Sequence, residues 1–179
     1  MMFRKTMLVA ALALLPAGLA GQEPESPEAQ IDLTLAKAME AGIPVDLLQS
    51  KIDEGKAKGI PMDRIAAAVD ARLMGLTRAQ EAMAKHDVTD MSGDELSAAA
   101  DALDAGVSEA VLAHIQNTAP ADRRMVATVA LTSLVELGHA PEQALMRVET
   151  ALQRGPDALA NLRSETAREM RGKGRRPNG

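Results

Sequence analysis

The chain has 179 residues, 46% of them hydrophobic, with no cysteine, one aromatic residue and a formal net charge of −5. The lack of cysteine excludes disulfides, thiol catalysis, cysteine-bound metals and an acylated lipoprotein anchor. With Phe3 as the only ring, sugar stacking, base-stacking platforms for nucleic acid and cation–π recognition are disfavoured.

Residues 1–20 read as a cleavable signal peptide. Arg4 and Lys5 precede an apolar run from Met7 to Leu15, and Gly18-Leu19-Ala20 supplies small residues for cleavage. The run is shorter than the roughly 20 residues that span a bilayer. The expected location is therefore the periplasm or the exterior. Residues 21–30, with Pro24, Pro27 and three glutamates, read as a flexible leader. Residues 31–168 read as one all-α domain, and residues 169–179 as a disordered basic tail.

Helical periodicity places elements in order from Ile31. Helices are expected over Ile31–Ala41, Val45–Lys58, Met62–Met74 and Thr77–Lys85, with a loop over His86–Met91. Further helices are expected over Gly93–Ala105, Glu109–Asn117, Asp122–Leu137 and Pro141–Arg154, and a last one fades after Arg168. The Asp122–Leu137 helix, with Met125, Val126, Val129, Ser133, Leu134 and Leu137, is expected to be the longest and most apolar and to sit at the centre of the core.

The joints share a grammar. Gly42-Ile43-Pro44, Gly59-Ile60-Pro61, Gly75-Leu76-Thr77 and Gly106-Val107-Ser108 each repeat Gly, an aliphatic residue, then Pro, Ser or Thr. Glycine can take the left-handed conformation that ends a helix, the aliphatic residue folds back, and the third residue opens the next helix. Thr77–Gln80 and Ser92–Glu95 match the capping-box pattern. Gly42, Gly75, Gly106 and Gly138 are 33, 31 and 32 residues apart. Residues 66–77 also align with residues 97–108. The expectation is all-α, with helix–turn–helix units of about 32 residues stacked as a solenoid or an irregular bundle. The pattern resembles secreted bacterial helical proteins with repeated Gly-Val/Ile-Pro turns, a group for which the resemblance implies a fold and no activity. The unit is near tetratricopeptide length but lacks that repeat's aromatic positions.

Methionine reads as gap-filling in a core without rings. Charge is divided: residues 22–162 carry a net −11 and residues 163–179 a net +4. The tail cations Arg171, Lys173, Arg175 and Arg176 are candidate contacts to an anionic surface. His86, His114 and His139 lack a His or Cys partner at helical spacing. No nucleophile elbow, Ser-x-x-Lys or phosphate-cradling loop occurs. The sequence therefore names no catalytic, metal or cofactor site. The expected role is a non-enzymatic, exported protein-binding module whose acidic body favours a basic protein partner, with no nucleic acid. The alternative is a peripheral envelope binder acting through the tail.

Overall fold

Eight α-helices and one 3-10 turn run through residues 26–173, the part of the chain this computed structural model describes; no strand occurs among them. They are α1 (Pro27–Glu40), α2 (Asp46–Ala57), α3 (Met62–Ala84), α4 (Gly93–Asp104), α5 (Glu109–Thr118), α6 (Arg124–Glu136), α7 (Pro141–Arg154) and α8 (Pro156–Lys173). The 3-10 turn, Ala121–Arg123, leads into α6. The all-α expectation holds. The expected signal peptide, residues 1–20, lies outside the described residues. The last stretch of the expected leader does not stay irregular: Ser26 caps α1 through its side chain, and Pro27 opens the helix.

Most joints follow the grammar read from the sequence. Gly42, Gly59, Gly106 and Gly138 all have positive φ. The residue after each donates its N–H across the helix end: Ile43 to Ala38, Ile60 to Gly55, Val107 to Ala102 and His139 to Leu134, at 2.9–3.1 Å. This is the Schellman arrangement, and it satisfies carbonyls that the helix leaves open. Ile43 and Val107 are 2% and 3% exposed, so these closures also plug the core.

The Gly75 joint does not exist. Gly75 lies inside α3, a 23-residue helix that replaces the two expected ones. Thr77 therefore caps nothing. The stripe Ile65, Val69, Leu73 continues without interruption through Leu76, Ala79 and Met83, all buried. The cost of a mid-helix glycine is about 1 kcal/mol, small beside a buried leucine. The closure of α3 falls instead at Asp87, the one described non-glycine residue with positive φ (60°). Val88 there donates to the Met83 carbonyl at 3.0 Å and Asp87 to Ala84 at 3.2 Å. Asp87-Val88-Thr89 is thus the joint, with aspartate in the glycine place. The alignment of residues 66–77 with residues 97–108 is not structural, because Gly75 is helical and Gly106 ends a helix.

The apolar residues of α6 divide between its faces. Met125, Val126 and Val129 are 42%, 40% and 51% exposed, while Ala127, Thr128, Ala130, Leu131, Ser133 and Leu134 are buried. The inward face mixes small residues with Leu131 and Leu134, where α6 packs against α4, α5, α7 and α8. Its central position holds. Its length does not, at 13 residues against 23 for α3. The methionines divide similarly. Met83 is fully buried, but Met39, Met74, Met125 and Met146 are exposed, so gap-filling does not account for them.

Packing follows chain order. α3 holds α1, α2 and α4; α4 reaches α6; α6 holds α7 and α8. Neither α1 nor α2 makes an extensive contact with α6, α7 or α8, so the helices form an open stack. Leu48, Leu76, Leu112, Leu131 and Leu134 are fully buried along it. Each such side chain contributes about 1.5–3 kcal/mol of transfer free energy. At the far end α8 continues to Lys173, past the expected fade at Arg168.

Candidate functional site

Three adjoining cavities follow α3 on the side of α1 and the α4 N-terminus. The first, about 260 Å³, lies between Leu33, Thr34 and Lys37 of α1 and Ala66, Ala67 and Asp70 of α3. The second, about 600 Å³, shares Lys37 and Asp70 and adds Leu73, Met74, Thr77 and Arg78. The third, about 530 Å³, shares Glu81 with the second and is bounded by Gly42, Pro44, Gln80, Val88, Met91 and Leu96. The three make one groove. Its α3 wall, from Ala66 to Ala84, spans about 27 Å at 1.5 Å per residue.

Local structure explains its deepest part. The Gly42 and Asp87 closures bring the α1–α2 and α3–α4 joints to the same end of α3. Gln80 Nε2 donates to the Ala41 carbonyl at 3.4 Å, tying the two together. At the α4 start, Ser92 Oγ accepts from Glu95 N–H at 3.2 Å, and Glu95 Oε2 accepts from Ser92 N–H at 2.8 Å. This is the capping box expected there. A Cβ on Gly93 would lie 3.4 Å from Pro44 Cγ, so the α4 N-terminus and the Pro44 turn are in van der Waals reach. The floor is apolar, with Val88 and Leu96 at 8% and 5% exposure.

Electrostatics separates this groove from the last turns of α4 and the start of α5. Asp101, Asp104 and Glu109 are matched from α3 and its end. Arg72 Nη1 lies 2.6 Å from Asp101 Oδ1, Arg78 pairs with Asp104, and Lys85 Nζ lies 3.5 Å from Glu109 Oε2. Glu81, Asp87, Asp90 and Asp94 are exposed and make no ion pair among the described residues. Glu81 lines the groove, and the three aspartates alternate along the chain with its lining residues Val88, Thr89, Met91 and Gly93. Unneutralised carboxylates therefore lie on this groove and next in sequence to its lining, beside an apolar floor.

The anionic-surface candidates fall elsewhere. Arg171 and Lys173 lie in the last turns of α8 by backbone, and Arg175 and Arg176 are outside the described residues. The histidines are not gathered. His86 follows α3, and His114 Nε2 lies 2.8 Å from Glu149 Oε1 across α5 and α7. His139 takes the slot after Gly138, with its Nε2 buried and unpartnered. No cluster of three or more His, Asp or Glu able to hold a metal occurs among the described residues. Sequence reasoning missed the groove, since its walls come from three separate segments; Asp87-Val88-Thr89, matching the other joints except for its first residue, was the available signal. No family model, no curated protein and no solved structure matches the chain.

Proposed function

We propose that the chain is a non-enzymatic binding module, exported by the signal read in residues 1–20, whose groove along α3 takes a segment of a basic protein. One observation carries the reading. Four exposed carboxylates without ion pairs, Glu81, Asp87, Asp90 and Asp94, lie on or next in sequence to the lining of an apolar floor, while Asp101 and Asp104 farther along α4 pair with Arg72 and Arg78. Such a rim steers a cationic partner and the floor holds an apolar side chain. Met74 and Met91 line the groove, and flexible thioethers adapt to partners of differing shape. An open helical stack suits this role, because it offers an extended surface.

A test uses a labelled peptide carrying one leucine flanked by lysines. The expected result is a shift of the Val88, Met91 and Leu96 amide resonances that weakens with salt and with Asp90→Asn. Shifts confined to other surfaces, or insensitive to both changes, would overturn the reading. The envelope-binding alternative draws on the cations of the C-terminal segment. It expects sedimentation with vesicles rich in anionic lipid, abolished by neutralising Arg171, Lys173, Arg175 and Arg176.

A further inference from the structure

Charge is polarised along the open stack. Residues 26–140, which hold α1 to α6, carry 10 basic and 18 acidic side chains, a net −8. Residues 141–179, which hold α7, α8 and the C-terminus, carry 8 basic and 5 acidic ones, a net +3. The acidic part contains the groove with its unpaired rim. The basic part ends in Met170-Arg171-Gly172-Lys173-Gly174-Arg175-Arg176, one apolar residue followed by four cations. That is the combination the groove calls for: a single anchor for the Val88–Leu96 floor and cations for Glu81, Asp87, Asp90 and Asp94.

We infer that the occupant of the groove is the C-terminal segment of a second copy of this chain. The inference rests on the groove being the binding site, as proposed above. Within one copy the described α8 packs on α6 and α7 and makes no extensive contact with α1, α3 or α4. The groove of one copy and the C-terminal segment of another are complementary. The resulting contact is heterologous: each copy offers a groove and a C-terminal segment, and addition proceeds head to tail. Association through such charges weakens as salt screens them.

The experiment is sedimentation velocity over a concentration series on residues 21–179, which contain every described helix. Three variants accompany it. One neutralises Arg171, Lys173, Arg175 and Arg176 with glutamine, one carries Asp87→Asn with Asp90→Asn, and one ends at Glu169. Asparagine tolerates the left-handed conformation at residue 87, and all three keep the buried Leu159, Leu162 and Thr166. Circular dichroism verifies their folding. The expected result is concentration-dependent association weakened about tenfold or more by each variant and by raising salt from about 50 to 300 mM. Mixing the Glu169-terminated chain with the Asp87/Asp90 variant should restore one-to-one pairing, because each retains the half that the other lacks. A chain monomeric throughout overturns self-association, as does association unchanged by the variants. If the leucine–lysine peptide still shifts Val88 and Leu96, the groove reading survives that failure; if it does not, both fall.

Discussion

Gly55 of α2 lies against Ile65 of α3 so closely that a Cβ at residue 55 would fall 2.7 Å from Ile65 Cγ1. The glycine lets α2 and α3 approach closely here, at the cost of a weaker helix. Gly75 shows the opposite case, with only Asp104 Oδ2 near its missing Cβ, at 3.8 Å. Alanine should therefore act with opposite sign at the two sites. Gly75→Ala is expected to stabilise by about 0.5–1 kcal/mol. Gly55→Ala is expected to destabilise by about 1–3 kcal/mol through overpacking. Urea unfolding followed by circular dichroism reads both. A stabilised Gly55→Ala protein would mean Ile65 yields without loss.

Asp87 supplies a second stability test. An L-residue in the left-handed region costs about 1–2 kcal/mol, somewhat less for aspartate. Asp87→Gly is expected to raise stability by about 0.5–1 kcal/mol, with Asp87→Val losing more than that. If glycine brings no gain at residue 87, the aspartate side chain must stabilise the joint by other means. The comparison also bears on the groove, since Asp87→Gly removes one rim charge and should weaken cationic-peptide binding while it stabilises the fold.

The core contains one polar pair of note. Gln116, 2% exposed, donates through Nε2 to Thr128 Oγ1 at 2.9 Å, and that hydroxyl donates to the Arg124 carbonyl at 2.9 Å. Gln116 Oε1 is buried without a partner. Removing one member should then differ from removing both. Thr128→Val strands the amide and is expected to cost about 1–3 kcal/mol. Thr128→Val with Gln116→Leu strands nothing and should recover most of the loss. A double-mutant cycle in thermal unfolding decides, and strict additivity would contradict the pairing.

Glu54 gives the pH dependence. The hydrogen bond from Lys58, then that from Lys51, holds its carboxyl below the ordinary glutamate range. A depressed folded-state value means that the group favours the fold above the unfolded-chain pKa. That contribution is lost as pH falls through the lower, folded value. Both lysines are exposed, so the effect on stability is small. The sharper readout is the Glu54 carboxyl resonance, whose titration should move upward in Lys58→Gln, and upward again in high salt as the attraction of Lys51 is screened. An unmoved titration would place the cause elsewhere.

How much of this could be read in advance depended on whether the signal was local. Gly42, Gly59, Gly106 and Gly138 each needed only their own neighbours, and all four closures formed. Gly75 carried the same letters, but Leu76 extended the stripe of Ile65, Val69 and Leu73, and that stripe decided. At Asp87 the letters of the motif are missing, since the backbone there requires only a residue that tolerates positive φ. In α6 hydrophobicity is not burial. The helix is apolar on most sides, and its buried face holds Ala127, Ala130, Leu131 and Leu134 while Met125 and Val129 face outward. The acidic rim was visible as composition, but which carboxylates Arg72, Arg78 and Lys85 neutralise is a tertiary fact.

The order of packing along the stack has a kinetic consequence. Helices mostly meet partners one or two places away in the chain, so few long loops must close before contacts form. Such topologies cross their folding barrier quickly and lose structure piecemeal. Backbone amides in α3, α4 and α6, packed from several sides, should exchange with deuterium last. Those of α1 and α2 at one end, and of α8 at the other, should exchange first, and independently of one another. The molecule would then open from its ends inward while the joint at Asp87 is still intact.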